Sequence, residues 1–337
     1  MEDSSYIYQY NPWEYTPPGE KGELLYLSIA VTTTCNFHCS FCSKAGQEPV
    51  HLDSKLLHFV LQEAIDLGLK KVEFTGGEPL LYPGILDLIE ELSGKGVTPL
   101  LVTNGSTISQ STAGRLARAG AMVAVSLSTL NEQKFDDLTG TKNQFPRVLN
   151  AVHLLREAGF GNKQVPLLSV QSVASRETVD EIPALQEWAE ARGCLFILNR
   201  PIPVGAMDMS SLISPEILKE LLGPQARVPF SLDSPCNRLT VGCYIGSDAI
   251  VRPCSCIDIH AGSLYEQTLT SIWENSPAME ENRDIYARLQ GSCKLCEENT
   301  WCYGCRGLAY AVFGDITAPD PGCFRFKGDR KFRGYAV

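Results

Sequence analysis

Short apolar runs alternate with amphipathic stretches along residues 25–205 of this 337-residue chain. Such runs are typical of buried strands, and apolar positions three and four apart are typical of helices. The pattern predicts six strands, at Leu25–Val31, Lys71–Phe74, Thr98–Val102, Ala121–Leu127, Pro166–Val173 and Leu195–Leu198. It predicts six helices, at Ser54–Leu67, Gly84–Ser93, Ser109–Arg118, Glu132–Leu138, Pro146–Ala158 and Val179–Ala191. Six β–α units in a row predict an α/β fold with a parallel sheet, and they are too few for a closed eight-unit barrel.

The rest of the chain follows other patterns. Prolines and glycines interrupt the first 24 residues, and they recur from Pro201 to Pro215 after the last predicted strand. From about residue 235 the periodicity fades while Cys and Gly become frequent, as in a small metal-stapled domain that can bury little core of its own. The sequence therefore predicts an arm at 1–24, an α/β domain at 25–205, a linker at 206–234 and a cysteine-rich domain at 235–337.

Composition excludes several classes of protein. The formal net charge is -10, which argues against nucleic-acid binding. No apolar stretch approaches the roughly 18 residues that span a bilayer, and the N-terminus lacks the basic start and apolar segment of a secretion signal. These features predict a cytoplasmic protein with no membrane partner. The cytosol keeps thiols reduced, so the 13 cysteines of this chain predict metal binding rather than disulfides.

Three cysteines follow the first predicted strand directly, at Cys35, Cys39 and Cys42. Three thiolates on one short loop can hold three irons of a 4Fe–4S cluster, which leaves the fourth iron open. An open position usually indicates chemistry, since a structural metal site closes its coordination shell. Zinc ligation and ordinary thiols are the alternatives for this loop.

A glycine-rich segment follows the second predicted strand, at Gly76, Gly77, Glu78 and Pro79. Paired glycines allow another chain or a ligand to approach the backbone closely. The alternative is a plain strand-to-helix turn that ends at Pro79. Polar residues end the next two strands, at Asn104, Ser126 and Ser128, and they are either ligand contacts or satisfied strand-end groups.

The cysteine spacing, together with Phe41 just before the last cysteine, resembles the radical S-adenosylmethionine (SAM) enzymes. The resemblance implies an open (β/α)6 partial barrel in which SAM chelates the open iron. SAM is then cleaved to a 5′-deoxyadenosyl radical that abstracts a hydrogen atom from substrate. It also implies that residues 76–79 line the methionyl amino group of SAM, and that Asn104, Ser126 and Ser128 contact its ribose or carboxylate. Many relatives carry an Arg where Thr139 stands here, so Lys142 or Arg147 would supply that charge.

The C-terminal cysteines resemble the SPASM extension of these enzymes, which carries two auxiliary 4Fe–4S clusters. The resemblance implies three clusters in all, with auxiliary cluster I on Cys236, Cys243, Cys254 and Cys305. Auxiliary cluster II would take Cys293, Cys296, Cys302 and Cys323. The family spacing before Cys305 is one residue longer, and Ala249 replaces a usual glycine. A zinc ribbon is the alternative reading of the two C-x2-C pairs.

Two cysteines are left over from these sets. Cys194 begins the sixth predicted strand and is expected to be a buried small hydrophobe. Cys256 lies two residues after Cys254 and is an alternate ligand, an idle thiol or a hydrogen-atom donor to a substrate radical.

The resemblance favours modification of a ribosomal peptide, by a cross-link or thioether, in natural-product biosynthesis. Dehydrogenation or epimerisation of an aminocyclitol or sugar is the alternative, and Ser255 replaces the Asp that sulfatase-maturing relatives use. An electron donor such as flavodoxin or ferredoxin is implied. About 34 residues precede Cys35, fewer than a winged-helix domain needs, so a peptide substrate would need a separate leader-peptide-binding protein or a short recognition sequence. The other class considered is an electron-transfer or scaffold protein with structural clusters or zinc.

Overall fold

The computed structural model describes residues 22–161, 167–213, 217 and 236–323. Most of the predicted arm at 1–24, Pro166 at the start of the fifth predicted strand and most of the predicted linker lie outside the described residues.

The predicted β–α alternation is confirmed, with boundaries that differ by two residues or fewer for the strands. They are β1 (Tyr26–Thr32), β2 (Lys71–Gly76), β3 (Thr98–Thr103), β4 (Met122–Ser126), β5 (Leu167–Val173) and β6 (Leu195–Asn199). The helices are α1 (Ser54–Asp66), α2 (Ile85–Gly94), α3 (Gln110–Arg118), α4 (Glu132–Thr139), α5 (Phe145–Glu157) and α6 (Ile182–Ala191). Residues Val179–Glu181 form a separate 3-10 turn before α6. Pro183 favours a helix start at this point, because proline lacks the N–H that an interior position would use.

Side-chain caps fix where several helices begin. The carboxylate of Asp53 accepts from the Leu56 N–H at 2.8 Å before α1. The hydroxyl of Ser109 accepts from the Thr112 N–H at 3.1 Å before α3. These bonds satisfy backbone donors that have no partner within the first helical turn.

The six parallel strands lie in the order β6-β5-β4-β3-β2-β1. Residues from all six strands border one cavity of about 460 Å³, called the inner cavity below. Six neighbouring strands laid flat would span roughly 24 Å. The sheet must therefore curve around the cavity, as an open part of a barrel does. The opposite face packs against the helices, with Leu27, Val72 and Leu101 in one buried cluster with Leu57 and Ile89.

Three short strands of the C-terminal region extend the same sheet beyond β1. Strand β7 (Gly242–Ile245) pairs parallel to β1, and β8 (Ile250–Arg252) and β9 (Gly262–Ser263) follow antiparallel. The periodicity of the sequence did not predict them, because strands of four, three and two residues are too short to show alternation. The C-terminal region is thus built onto the barrel sheet.

Six short helices complete the described C-terminal region. They are α7 (Arg238–Val241), α8 (Leu269–Asn275), α9 (Pro277–Arg283), α10 (Ile285–Arg288), α11 (Gly291–Lys294) and α12 (Arg306–Phe313). Trp273 of α8 is buried, and its indole N–H donates to the Gly22 carbonyl at 2.6 Å. Within the described ranges, no helix combines the length and apolar character needed to cross a bilayer.

Candidate functional site

The N-terminal cysteine loop lies between β1 and α1. All three of its cysteines border the inner cavity: Cys35, Cys39 and Cys42. Two main-chain bonds hold the loop against the end of α4, from the His38 N–H to the Thr139 carbonyl (2.8 Å) and from the Ser40 N–H to the Leu138 carbonyl (2.9 Å). The loop is therefore fixed by a helix that lies about a hundred residues away in sequence.

The surroundings of these sulfurs suit ligation of iron. Burial, and then the neighbouring Cys42 and Cys35, raises the pKa of the Cys39 thiol to about 12. Three ionised thiolates would thus repel one another, and a cationic iron core would relieve that repulsion. Backbone N–H groups already point at two of the sulfurs, from Phe37 to Cys35 Sγ (3.4 Å) and from Lys44 to Cys42 Sγ (3.3 Å). Such donors are typical of cluster-bound thiolates.

Gly76 and Gly77 have no room for a side chain. A Cβ on Gly76 would lie 2.1 Å from the Thr32 carbonyl oxygen, and a Cβ on Gly77 would lie 2.2 Å from that of Thr34. The Gly77 N–H donates to Thr32 O at 2.7 Å. The segment that leads into Cys35 therefore lies directly against the two glycines, where a side chain would not fit. Both glycines also border the inner cavity, as their predicted contact with SAM requires.

Glu78 is fully buried behind the cavity wall. Its carboxylate accepts from Leu80 N–H (3.0 Å), the Thr103 hydroxyl (2.8 Å) and Asn104 N–H (2.7 Å). Burial outweighs these bonds and raises the pKa of Glu78 to about 7. Pro79 begins a short 3-10 turn after it. Glu78 thus joins the ends of β2 and β3 and positions the neighbouring Gly77 and Asn104.

Asn104 links the cysteine loop to the end of β3. Its amide donates to Asn36 Oδ1 at 2.9 Å and lies 3.9 Å from Cys35 Sγ. Asn36 in turn donates to the Ser106 hydroxyl (2.8 Å), which donates to Asn104 Oδ1 (2.7 Å). The sequence did not single out Asn36 or Ser106. In the sequence, only their proximity to Cys35 and Asn104 could have indicated that these two residues belong to the site.

The polar ends of the later strands form a row inside the cavity. The Gln171 amide donates to the Ser126 hydroxyl at 3.1 Å, and Asn199 donates to Gln171 Oε1 at 3.4 Å. Ser128 borders the cavity beside them. The structure therefore brings the predicted Ser126 and Ser128 to the same wall, and it adds Gln171 and Asn199, which the sequence did not reveal.

The basic side chains described on the inner cavity wall all come from the later part of the chain. Thr139 is buried, and its hydroxyl donates to the Phe135 carbonyl at 2.7 Å. Lys142 and Arg147 do not border the cavity. Among the described residues, the basic side chains on its wall are Arg200, Arg238 and Arg306.

The C-terminal cysteines divide into two groups. Those bordering the inner cavity are Cys236, Cys243, Cys254, Cys256 and Cys305. Those away from it are Cys293, Cys296, Cys302 and Cys323. The division follows the two predicted auxiliary ligand sets, with Cys256 added to the first. Considered over the described ranges, no three His, Cys, Asp or Glu side chains converge on a single metal-ion position.

Asp320 connects both groups to the barrel. Its carboxylate pairs with Arg200 Nη1 at 2.9 Å and accepts from the Cys305 N–H at 2.8 Å. Its own N–H lies 3.3 Å from Cys293 Sγ. Both partners of the ion pair are buried. Arg200 directly follows β6, so this pair fixes the C-terminal region against the last barrel strand.

Cys194 lies in the core, where burial raises the pKa of its thiol to about 11. None of the 13 cysteines, all of which fall in the described part of the chain, forms a disulfide.

A second concavity of about 900 Å³, called the outer groove, lies outside the inner cavity. It is bordered by the chain after Cys42, by the β7–β8 hairpin and by α12. Five residues border both spaces: Ser43, Val204, Tyr244, Ser255 and Cys256. The two spaces are therefore neighbours that share one wall.

Two family models match these same parts of the chain. That of the radical SAM superfamily matches residues 29–189, and that of the iron–sulfur cluster-binding SPASM domain matches residues 236–306. The chain belongs to the radical SAM superfamily and carries a SPASM domain. It is thus a radical SAM enzyme that uses SAM and iron–sulfur chemistry.

Curated relatives of this radical SAM chain differ in activity. An AdoMet-dependent heme synthase of Methanosarcina barkeri is 26% identical over 346 residues, which cover 89% of this chain and 96% of that protein. A GTP 3′,8-cyclase of Brucella canis is 34% identical over 197 residues, 54% of each chain. The alignment therefore spans about half the length of the cyclase.

Solved structures share the fold at lower identity. SuiB of Streptococcus suis bound to S-adenosylmethionine has a TM-score of 0.69 at 19% identity and covers 88% of this chain and 76% of its own. The enzyme anSMEcpe with bound AdoMet and Cp18Cys peptide has a TM-score of 0.67 at 18% identity, covering 92% and 96%. These likenesses confirm the predicted fold class. The individual site residues remain predictions.

Proposed function

We propose that this radical SAM enzyme modifies a peptide, one side chain of which enters the inner cavity while the flanking backbone lies in the outer groove. The pairing of the inner cavity with the larger outer groove along a shared wall carries the proposal. An extended peptide needs a long surface for its backbone and a pocket for the reacting side chain. A small metabolite would need the inner cavity alone. A cross-link or thioether in a ribosomal peptide is the modification we favour.

Two solved neighbours support a peptide substrate. SuiB has been solved with the precursor peptide SuiA, at a TM-score of 0.69, and anSMEcpe with the Cp18Cys peptide. Both share this fold, with its cavity at the carboxyl ends of the parallel strands. A peptide would therefore reach the same side of the sheet.

We propose three 4Fe–4S clusters. The first would be held by the N-terminal cysteine loop and the other two by the C-terminal cysteines. Backbone donors at Cys302 Sγ (from Gly304, 3.4 Å) and at Cys305 Sγ (from Leu308, 3.4 Å) support ligation there, as at the N-terminal loop. With SAM, the first cluster would supply the one-electron chemistry that removes a hydrogen atom from an unactivated C–H bond.

The chain's own part is to orient substrate and exclude water. Among the described residues on the inner cavity wall, Glu73 carries the one acidic side chain. Ser28 donates to its Oε1 at 2.8 Å, and Arg238 lies 3.2 Å from its Oε2. Glu73 and Arg238 thus present a carboxylate and a guanidinium to polar groups of the substrate. They lie between the N-terminal loop and the C-terminal cysteines.

The test measures 5′-deoxyadenosine formed by reconstituted, dithionite-reduced protein with SAM. Pools of synthetic peptides are compared with a pool of aminocyclitols and sugars. We expect peptides to stimulate formation over the uncoupled rate. In Ala311→Trp, which fills the outer groove, that stimulation should fall by about tenfold while the uncoupled rate stays. The matched control is Ala287→Trp, on the exposed surface of α10 outside both spaces. Stimulation by the sugar pool alone, unaffected by Ala311→Trp, would reject the peptide proposal.

A small-molecule substrate is the second candidate. The full-length alignment with a heme synthase favours a small-molecule reaction. The hydroxyl and amide row of Ser126, Gln171 and Asn199 suits a polyhydroxylated ring. Dehydrogenation or epimerisation of an aminocyclitol or sugar is the form we propose for it.

Partners and location are further parts of the proposal. A flavodoxin or ferredoxin would supply electrons, and Leu295, 85% exposed between Cys293 and Cys296, offers an apolar contact beside the second cysteine group. A separate leader-peptide-binding protein would present a peptide substrate. The absence of disulfides among the 13 cysteines, all in the described residues, supports a cytoplasmic location.

A further inference from the structure

The β7–β8 hairpin separates two cysteines that the family resemblance assigns to one cluster. Tyr244 pairs with Arg252, and Ile245 pairs with Val251. Side chains alternate between the two faces of a strand, and directly paired residues share a face. Cys243 therefore lies on the face of Ile245 and Val251.

That face is the helix-covered core of the sheet. Cys243 is paired with Leu27 of β1, and both belong to the buried cluster that also holds Ile245 and Val251. The side chain of Cys243 is 2% exposed, and burial alone accounts for the raised pKa of its thiol.

Cys254 lies in different surroundings, two residues past the end of β8. It forms an isolated bridge with Ile257 and packs against a second buried cluster, which includes Leu239, Ile257 and Tyr303. Cys243 belongs to the first cluster and not to this one. The thiols of Cys243 and Cys254 thus lie in separate parts of the core, and one cluster that joined both would have to displace packed apolar side chains.

Cys256 lies beside Cys254, in the place that the family resemblance assigned to Cys243. A turn closed by the bond from Ile257 N–H to the Cys254 carbonyl (3.1 Å) keeps Cys256 beside Cys254. On its other side Cys256 packs on the first turn of α12, where a Cβ on Gly307 would lie 2.8 Å from the Cys256 Cβ. Cys305 caps that same turn through its sulfur. Cys256 therefore lies between Cys254 and Cys305.

We propose that the cluster beside the inner cavity is held by Cys236, Cys254, Cys256 and Cys305, and that Cys243 is a core thiol. The proposal rests on the SPASM iron–sulfur assignment and not on the identity of the substrate. It replaces one residue in the ligand set that the resemblance implied, and it leaves the three other assignments unchanged.

The test compares Cys256→Ala, Cys243→Ala and Cys194→Ala in the full chain after anaerobic reconstitution. Iron and sulfide are measured per chain, and electron paramagnetic resonance is used to detect a three-iron cluster. Wild type should hold about twelve irons. We expect Cys256→Ala either to lose about four irons or to show a three-iron signal. Cys243→Ala should match wild type, as should Cys194→Ala, which removes another buried core thiol.

Two results would overturn the proposal. One is a folded Cys243→Ala protein that lacks a cluster. The other is Cys256→Ala with full iron and no three-iron signal, which would leave that thiol available as a hydrogen-atom donor. Circular dichroism reports folding, and Cys243→Val, which refills the core, replaces the alanine variant if that variant does not fold. None of these readouts depends on a substrate, so they separate this proposal from the peptide proposal.

Discussion

The two cysteine regions of this enzyme differ in how far apart their cysteines lie in the sequence. The N-terminal cysteines lie within eight residues on one loop after β1. The C-terminal cysteines begin at Cys236 and end at Cys323, and they lie on β7, on the turn after β8, on α11 and on the segments between these elements. The first site is therefore specified by local spacing, and the second depends on how distant elements pack.

This difference has consequences for how each site responds to change. A local loop can lose its ligands without disturbing the sheet beneath it. The C-terminal region is joined to the barrel through β7 and through the buried Arg200–Asp320 pair. A substitution in this connection, called the joint below, should therefore disturb both groups of C-terminal cysteines and leave the N-terminal loop intact.

The largest expected effect tests the independence of the local loop. Cys35→Ala removes one of three neighbouring ligands, so SAM cleavage should fall by at least about a thousandfold, some 4 kcal/mol in activation free energy. Loss of about four irons should accompany it, because the C-terminal clusters would remain. Measurements of 5′-deoxyadenosine and of iron per chain check both, with Cys194→Ala as the control. Retained cleavage in Cys35→Ala would refute the assignment of this loop.

Next in size is the joint between the barrel and the C-terminal region. Asp320→Ala leaves Arg200 buried without its carboxylate, which typically costs about 3–5 kcal/mol. We expect a lower melting temperature and loss of iron from the C-terminal clusters. Asp315→Ala is the matched control in the same segment, where only the local bonds to Thr317 are lost, at about 1 kcal/mol. Equal effects from the two variants would show that the joint is not specific.

The buried Glu78 makes the stability of the barrel site depend on pH. Its pKa is raised to about 7, so the folded state holds this proton more tightly than the unfolded chain does. Its contribution to stability is complete below the unfolded pKa and is lost as the pH rises through about 7. The loss amounts to about 3 kcal/mol. The melting temperature of Glu78→Gln relative to wild type should therefore rise between pH 5 and pH 8. A difference that stays constant over this range would contradict the raised pKa.

The smallest effect concerns the contact between the glycine segment and the cysteine loop. Gly77→Ala places a Cβ 2.2 Å from the Thr34 carbonyl oxygen, so the chain leading into Cys35 must move. Overpacking of this kind costs about 1–3 kcal/mol, and SAM cleavage should slow as the loop shifts. Gly94→Ala, in α2 with nothing within 4 Å, should be neutral or slightly stabilising. Thermal unfolding and cleavage rates of the two variants make the comparison.

The success of the sequence predictions follows the same division. The β–α alternation was predicted closely because strands β1 to β6 are five to seven residues long and buried, so their apolar runs are visible. Strands β7 to β9 were not predicted, since their shortness hides the alternation. Lys142 or Arg147 was expected to supply the charge of the Arg that relatives carry in place of Thr139, and neither borders the inner cavity, whereas Arg200 and Arg238 do. Those two residues are distant in sequence from the cysteine loop and match no motif.

The sequence by itself determined the chemistry, because three thiolates at short spacing meet on one loop in any fold that keeps the loop intact. It also determined the parallel α/β class, because periodicity records which faces are buried. Only the tertiary structure decided how the C-terminal cysteines are distributed around the inner cavity. Cys243 and Cys254 are eleven residues apart, yet Cys243 belongs to the barrel core and Cys254 packs against a separate buried cluster. Linear spacing carries no record of which face of a strand is buried until the register of the sheet is known.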